Sequence, residues 1–202
     1  MMRAGLTVRQ LRSSLAGPFE LELAVGACAA ISGPSGSGKS LFLRMIADLD
    51  PNEGEVFLGG TPRASMPATR WRHSVVYVAA QTGWWADKVI DHFPLNCRAR
   101  VRAIAERLGL AADLFDAAVA RLSTGEKQRL ALVRALICEP PVLLLDEPTA
   151  ALDGHSLSLT ETLLRERLAN GTSIVLVTHD PDQALRLGTQ RHRMAAGKLE
   201  AA

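Results

Sequence analysis

Three cysteines in 202 residues are too few and too scattered to hold a fold together. Cys28, Cys97 and Cys138 lack metal-ligand spacing, so neither a disulfide framework nor a thiolate metal site is expected. Cys28 and Cys138 lie in apolar runs and read as small core residues. No apolar stretch approaches the ~20 residues of a membrane-spanning helix. The first residues carry spaced charges rather than the apolar block of a signal peptide. The chain is therefore expected to be cytoplasmic, with any membrane role exercised through a separate partner. An excess of one charge sign is also missing. Lys and Arg number 23 against 21 Asp and Glu, leaving +2 and no like-charge block. That balance gives no pull toward nucleic acid. The small cluster Arg98, Arg100, Arg102 reads as a solvated helix face. No internal repeat or low-complexity segment occurs. Hydrophobic residues make up 48%, enough for the core of one unit spanning 1–202.

Against these absences stands one dense motif, Gly33-Pro34-Ser35-Gly36-Ser37-Gly38-Lys39-Ser40. It follows the apolar run Cys28–Ile31 and opens a helical run from Leu41 to Leu49. Strand, glycine loop and helix in that order form the context of a phosphate-binding P-loop. The glycines let backbone N–H groups from Gly33 to Leu41 turn toward phosphate oxygens, and the helix N-terminus adds its positive end. Lys39 is placed to reach the β- and γ-phosphates, and the Ser40 hydroxyl to bind Mg²⁺. ATP and Mg²⁺ are therefore the expected ligands.

The rest reads as an α/β chain with an antiparallel opening. Strands are expected at 6–11, 19–25 and 55–58, with a turn at 50–54. Apolar strands follow at Val75–Val78, Val142–Glu147 and Ser173–Val177, with a closing hairpin of 191–194 and 198–200 around Gly197. Between them, 82–122 has a helical character, with segments at 89–93, 98–108 and 111–122. A helix from Lys127 to Cys138 extends this lobe to about 82–140. Ser123 caps it, and Glu126 completes a capping box. Helices are also expected at 156–169 and 181–187.

Four apolar runs end in residues suited to chemistry: the P-loop, Gln81, Asp146-Glu147 and His179. In open α/β sheets, ligands bind outside the carboxyl ends of the strands. Asp146 would hold Mg²⁺, and Glu147 would polarise a water for in-line attack on the γ-phosphate. His179 would hydrogen-bond that phosphate. The Gln81 amide suits a metal or water contact that can release. Taken singly, each has a plainer reading: a histidine after a strand can be structural, and many strands end in acids. Their occurrence once each, in this order, decides between the readings.

Over nearly its whole length the chain resembles the ATP-binding cassette (ABC) ATPases. Gly33–Ser40 is similar to their Walker A motif, Val142–Pro148 to Walker B, and Gln81 to the Q-loop. Ala151-Leu152-Asp153 is similar to the D-loop, Ser123-Thr124-Gly125-Glu126-Lys127 to the signature motif, and His179 to the switch histidine. The resemblance implies a P-loop NTPase fold with a RecA-like core, an antiparallel β subdomain and a small inserted helical subdomain. It implies Mg-dependent ATP hydrolysis with Glu147 as catalytic carboxylate. It also implies a head-to-tail homodimer in which Ser123, Thr124, Gly125, Glu126 and Asp153 complete the nucleotide site of the other copy. A helix N-terminus at Ser123 with no phosphate in its own chain agrees with that.

Thr124 departs from the family's usual glycine; its side chain could crowd the γ-phosphate or weaken closure, with a modest effect expected because Ser123 and Gly125 remain. If the effect is large, the cassette binds nucleotide with little turnover. The family also stacks an aromatic on adenine, but 3–18 contains none. The Arg12 guanidinium could replace it, or the contact is lost; Phe19 fits core packing better. The Trp84-Trp85 pair after Gln81 is either core or an interface anchor. The resemblance places there the contact with an integral membrane permease subunit, at the inner face of the cell membrane. Gln81-Thr82, Val89-Ile90-Asp91, Phe93-Pro94 and Gly125–Arg129, without a C-terminal regulatory domain, resemble the small iron-export ATP-binding subunits. The expected function is thus the ATPase subunit of a transporter, with metal or iron export as its finer form. The alternative is a soluble, non-transport ABC ATPase or regulatory ATP-binding module.

Overall fold

A computed structural model of the chain describes residues 4–202. The first three residues of the unit expected over 1–202 lie outside the described residues. β1 (Ala4–Arg12) and β2 (Phe19–Ala24) pair antiparallel, with Leu6 opposite Leu23 and Leu11 opposite Phe19. The alternation in β2 puts Phe19, Leu21 and Leu23 inside and Glu20 and Glu22 outside. β3 (Cys28–Ser32) has four consecutive buried residues, as a strand covered on both faces must. It leads through the glycine loop into α1 (Lys39–Ile46), which buries Phe42, Leu43, Met45 and Ile46. β4 (Glu53–Leu58) returns beside β1, and β5 (Thr61–Pro62) completes a four-stranded antiparallel sheet, β2-β1-β4-β5.

The sequence reading contains no element at α2 (Ala68–Ser74), because this segment is mostly polar. A single side chain anchors it: Trp71 is fully buried and its Nε1–H donates to the Ile46 carbonyl at 2.9 Å. β6 (Val75–Val78) follows. The helical segments expected at 89–93 and 111–122 are corrected to short 3₁₀ turns at Val89–His92, Ala112–Asp116 and Val119–Arg121. The reason lies in pairing with a distant segment. Val119 N–H donates to the Asp87 carbonyl at 2.8 Å and Val89 N–H to Ala117 at 3.2 Å, so these backbone groups are unavailable to a helix. Between the turns lies α3 (Arg98–Arg107), ended by Gly109 at φ +67°.

α4 (Thr124–Leu136) starts at the expected capping box. β7 (Val142–Asp146), α5 (Gly154–Ala169), β8 (Ser173–Val177) and α6 (Pro181–Leu187) complete the alternating half, and β9 (Gln190–Ala195) and β10 (Lys198–Ala201) form the hairpin. The six-stranded sheet has the order β10-β9-β3-β8-β7-β6, parallel throughout except for β10. Alternate residues of β7 and β8 feed two cores. Leu143, Leu145, Ile174 and Leu176 pack with α3 and α4, while Leu144, Val175 and Val177 pack with α1 and the antiparallel sheet. Phe19 belongs to the second core, its ring 4.8 Å from that of Phe42.

Cys28 is fully buried, and burial pushes its thiol up to about 12, so it stays protonated and inert. Cys138 does not join the core: it lies exposed beyond the end of α4. The arginine cluster is less solvated than expected, since Arg98 and Arg100 are half-buried, Arg100 pairs with Glu139, and Arg102 lies over the Phe115 ring. Among the described residues no helix is long and apolar enough to cross a membrane.

Candidate active site

The parallel sheet brings the carboxyl ends of β3, β7 and β8 side by side, and each opens into one of the chemically suggestive loops. The P-loop conformation depends on its glycines. Gly33 sits at φ +149°, and a Cβ there would lie 2.1 Å from the Met194 carbonyl oxygen. Gly36 and Gly38 are also left-handed, and Gly38 starts α1 with no side-chain cap. The first N–H groups of α1 therefore have no side-chain cap, which is the arrangement that receives an anion. Lys39 is buried in the loop, its Nζ donating to the carbonyls of Gly33 at 2.8 Å and Pro34 at 2.9 Å. The Ser37 hydroxyl is buried with no hydrogen-bond partner. A buried, unpaired donor beside a lysine fits a phosphate oxygen as its ligand.

A cleft of about 360 Å³ is lined by Ser35, Gly36, Gly38, Lys39, Ser40, Leu41, Glu147 and His179. The P-loop thus shares one cavity with the two candidate groups from β7 and β8. Glu147 takes φ +48°, just past the end of β7, and its N–H donates to the Val177 carbonyl at 3.0 Å. Its Oε1 lies 2.8 Å from His179 Nε2. Asp146 is buried at the end of β7, where Oδ2 accepts the Tyr77 hydroxyl at 3.0 Å. Burial and the Asp146 charge push the Tyr77 phenol well up, so Tyr77 is the donor at neutral pH. The Ser40 hydroxyl, Asp146 carboxylate and Gln81 amide are all oxygen donors of the kind Mg²⁺ accepts. Gln81 itself is exposed beyond β6 and does not line the cleft.

Ser123, Thr124, Gly125, Glu126 and Asp153 are likewise not brought to this cleft. Ser123 and Glu126 are engaged in the cap: Ser123 Oγ accepts the Glu126 N–H at 3.3 Å, and Glu126 Oε2 accepts the Ser123 N–H at 2.8 Å. The Ser123 bonds hold the Glu126 carboxylate below its usual range. Thr124 is exposed. Gly125 packs against the loop after β7, where a Cβ would come 2.9 Å from the Ala151 carbonyl oxygen. Asp153 caps α5 through the Ser156 N–H and hydroxyl, both at 2.9 Å.

Two residues to which the sequence reading assigns no site role join these parts. Gln128 on α4 donates from Nε2 to the Glu147 carbonyl at 3.4 Å and accepts the Ala151 N–H at 3.2 Å. Tyr77 orients Asp146. Neither follows from local pattern, since the partners are far apart in the chain. Removing the hydroxyl in Tyr77→Phe is expected to weaken Mg²⁺ dependence of hydrolysis about threefold to tenfold, the scale of one hydrogen bond of ~1 kcal/mol. A Mg²⁺ titration of the rate measures it.

Residues 17–150 match the family described as ABC transporter. The chain belongs to that family. Lipoprotein-releasing system ATP-binding protein LolD of Bordetella pertussis is 36% identical over 199 residues, covering 89% of this chain and 84% of LolD. Aliphatic sulfonates import ATP-binding protein SsuB 2 of Pseudomonas fluorescens is 38% identical over 195 residues, covering 90% of this chain and 70% of that protein. As an ABC ATP-binding subunit the chain is an ATPase, and ATP is its nucleotide. In fold it matches a dimeric ATP-binding cassette in a post-hydrolysis state with ADP and Pi, at a TM-score of 0.84 and 24% identity, covering 97% of this chain and 98% of that one. The fold class is accordingly the P-loop NTPase core of ABC type, with its antiparallel sheet and inserted helices.

Proposed function

We propose that the chain is the Mg-dependent ATP-hydrolysing subunit that drives a separate membrane permease from the cytoplasmic face. The observation that carries this reading is the single cleft joining Lys39 and the α1 N-terminus to the paired Glu147 and His179. The β- and γ-phosphates lie against the P-loop N–H groups and Lys39. Ser40 and Asp146, with Gln81 from the exposed loop beyond β6, would hold Mg²⁺, which would supply charge neutralisation at the phosphates. Glu147 accepts the proton of the attacking water, and His179 holds the Glu147 carboxylate and the γ-phosphate in register. The chain is read as one ABC ATPase unit over 1–202, with a helical subdomain at about 82–140.

The capped α4 N-terminus at Ser123–Glu126 does not line the P-loop cleft of its own chain. A second copy, related by a two-fold axis, would bring that N-terminus and Asp153 over the nucleotide of the first. Thr124 is exposed at that N-terminus, so closure over the γ-phosphate must accommodate its methyl group. The Arg12 guanidinium is tied to Glu53 through Nε at 3.1 Å and Nη2 at 2.8 Å, and a nucleobase would have to stack on it with that pair in place.

The permease contact is read at Trp85. The pair does not act alike: Trp84 is half-buried on the core, with its Nε1–H on Thr82 Oγ1 at 2.9 Å, while Trp85 is 69% exposed. Arg134 lies over both rings, at 5.1 and 4.8 Å, and the His92 ring packs against both. These contacts hold a large aromatic surface in place and solvent-facing. Trp85→Ala is expected to leave hydrolysis by the isolated chain within about twofold and to abolish its stimulation by, and co-purification with, a membrane permease, as loss of a central aromatic anchor does. ATPase assays with and without host membranes test this. Co-purification unchanged by Trp85→Ala would move the permease contact off this face, and absence of any membrane partner for the wild-type chain would favour the soluble ABC ATPase reading. The permease would select the cargo. Iron export has no counterpart in the names of the relatives compared, which are lipoprotein release and sulfonate import.

A further inference from the structure

A polar cluster with a buried centre and two half-exposed arginines, Arg165 and Arg186, joins α5 and α6 to the loops that carry Glu147 and His179. Its centre is Glu161, 3% exposed, a residue to which the mechanism assigns nothing. Its carboxylate accepts Arg186 Nε at 2.8 Å, Arg186 Nη2 at 2.7 Å, Arg165 Nη2 at 3.0 Å and Gln183 Nε2 at 3.4 Å. A carboxylate that deep needs such compensation, and these four donors supply it.

Both catalytic loops are tied to this cluster. Gln183, 0% exposed, exchanges hydrogen bonds with the Thr149 hydroxyl, donating at 2.9 Å and accepting at 3.1 Å. Thr149 is two residues beyond Glu147 and is braced to it, since the Ala150 N–H donates to the Glu147 carbonyl at 3.3 Å. On the other side, Arg186 Nη2 reaches Asp180 Oδ2 at 3.4 Å, one residue beyond His179. The His179–Glu147 contact at 2.8 Å closes the circuit. The path runs Glu147, Thr149, Gln183, Glu161, Arg186, Asp180, His179, and returns to Glu147.

We propose that Thr149, Gln183 and Glu161 are positioning residues for hydrolysis, setting the distance between Glu147 and His179 from below. The inference rests on the reading of Glu147 as the base. Nothing in the cluster touches nucleotide, so it acts only by keeping the carboxylate where the attacking water will be. A displacement of about 1 Å at such a group is enough to slow a reaction many-fold. Ground-state binding by the P-loop, on the other side of the cleft, is untouched.

Thr149→Val removes the hydroxyl at nearly constant shape, and Thr149→Ser keeps it. The expected result for Thr149→Val is kcat lower by about tenfold with KM for ATP within about twofold, and recovery of most of the rate in Thr149→Ser. Gln183→Leu should match Thr149→Val, each rate corrected for the folded fraction. Combined with Glu147→Gln, Thr149→Val should slow the reaction no further, because a positioning residue acts only through the group it positions. A purely structural cluster predicts otherwise: a lower Tm with wild-type kcat, or an additive loss in the double variant, and either overturns the proposal. If Glu147→Gln alone retains wild-type rate, the reading of Glu147 as base fails. If Glu147→Gln is inactive and Thr149→Val turns over normally, only the positioning proposal fails.

Discussion

Glu147→Gln is expected to reduce steady-state ATP hydrolysis by about 100-fold or more, the usual contribution of a positioned general base, while leaving ATP affinity nearly unchanged. The substitution is almost isosteric, so the loop after β7 keeps its shape. The amide can still meet His179 Nε2, which lies 2.8 Å from Glu147 Oε1. What is lost is the capacity to take a proton from water. Bound ATP then persists, and if a second copy closes over it, dimers accumulate with Mg-ATP and dissolve with ADP. Light scattering at millimolar Mg-ATP reads this directly. A monomer under those conditions would count against the two-copy site, and wild-type turnover would remove Glu147 from the mechanism.

Lys39→Ala is expected to weaken ATP binding by about 10- to 100-fold and to bring hydrolysis to background, because charge-assisted hydrogen bonds to phosphate each contribute ~1.5–3 kcal/mol. The folded state should survive. Lys39 Nζ is held by two carbonyls of its own loop, Gly33 and Pro34, and the loop's shape is set by its left-handed glycines as well. A nucleotide titration alongside the ATPase assay separates this variant from Glu147→Gln: one loses binding, the other retains it. Retained hydrolysis in Lys39→Ala would overturn the assignment of the P-loop.

The difference between what could and could not be read from sequence is one of range. The P-loop is legible because its chemistry is local: eight adjacent residues carry the left-handed positions, the lysine and the helix start. The Ser123–Glu126 cap is legible for the same reason. The ends of β7 and β8 are legible as sites because apolar strands stop abruptly at polar residues. The 3₁₀ turns at 112–121 were hidden, since an alanine-rich stretch favours a helix until the pairing of Val119 with Asp87 claims its backbone. The buried role of Trp71 was hidden by its polar neighbours on α2. Gln128, Tyr77 and the Glu161 cluster were hidden because, Arg165 at i+4 from Glu161 aside, their partners lie between 6 and 69 residues away, most on other strands and helices, and no spacing rule announces them. The Trp84-Trp85 pair was visible as a pair, but only packing divides it into an internal brace and an exposed face.

This ATPase is proposed to work by engaging a membrane subunit through the face carrying Trp85. The most direct test places a photo-crosslinking residue at position 85 in the full-length chain, expressed in its own host, with irradiation before the membranes are solubilised. The expected result is an adduct with one multi-spanning integral membrane protein, absent when the crosslinker is placed at exposed Leu185 and sensitive to nucleotide state. A chain that stays in the soluble fraction, with no membrane adduct at position 85, would contradict the claim.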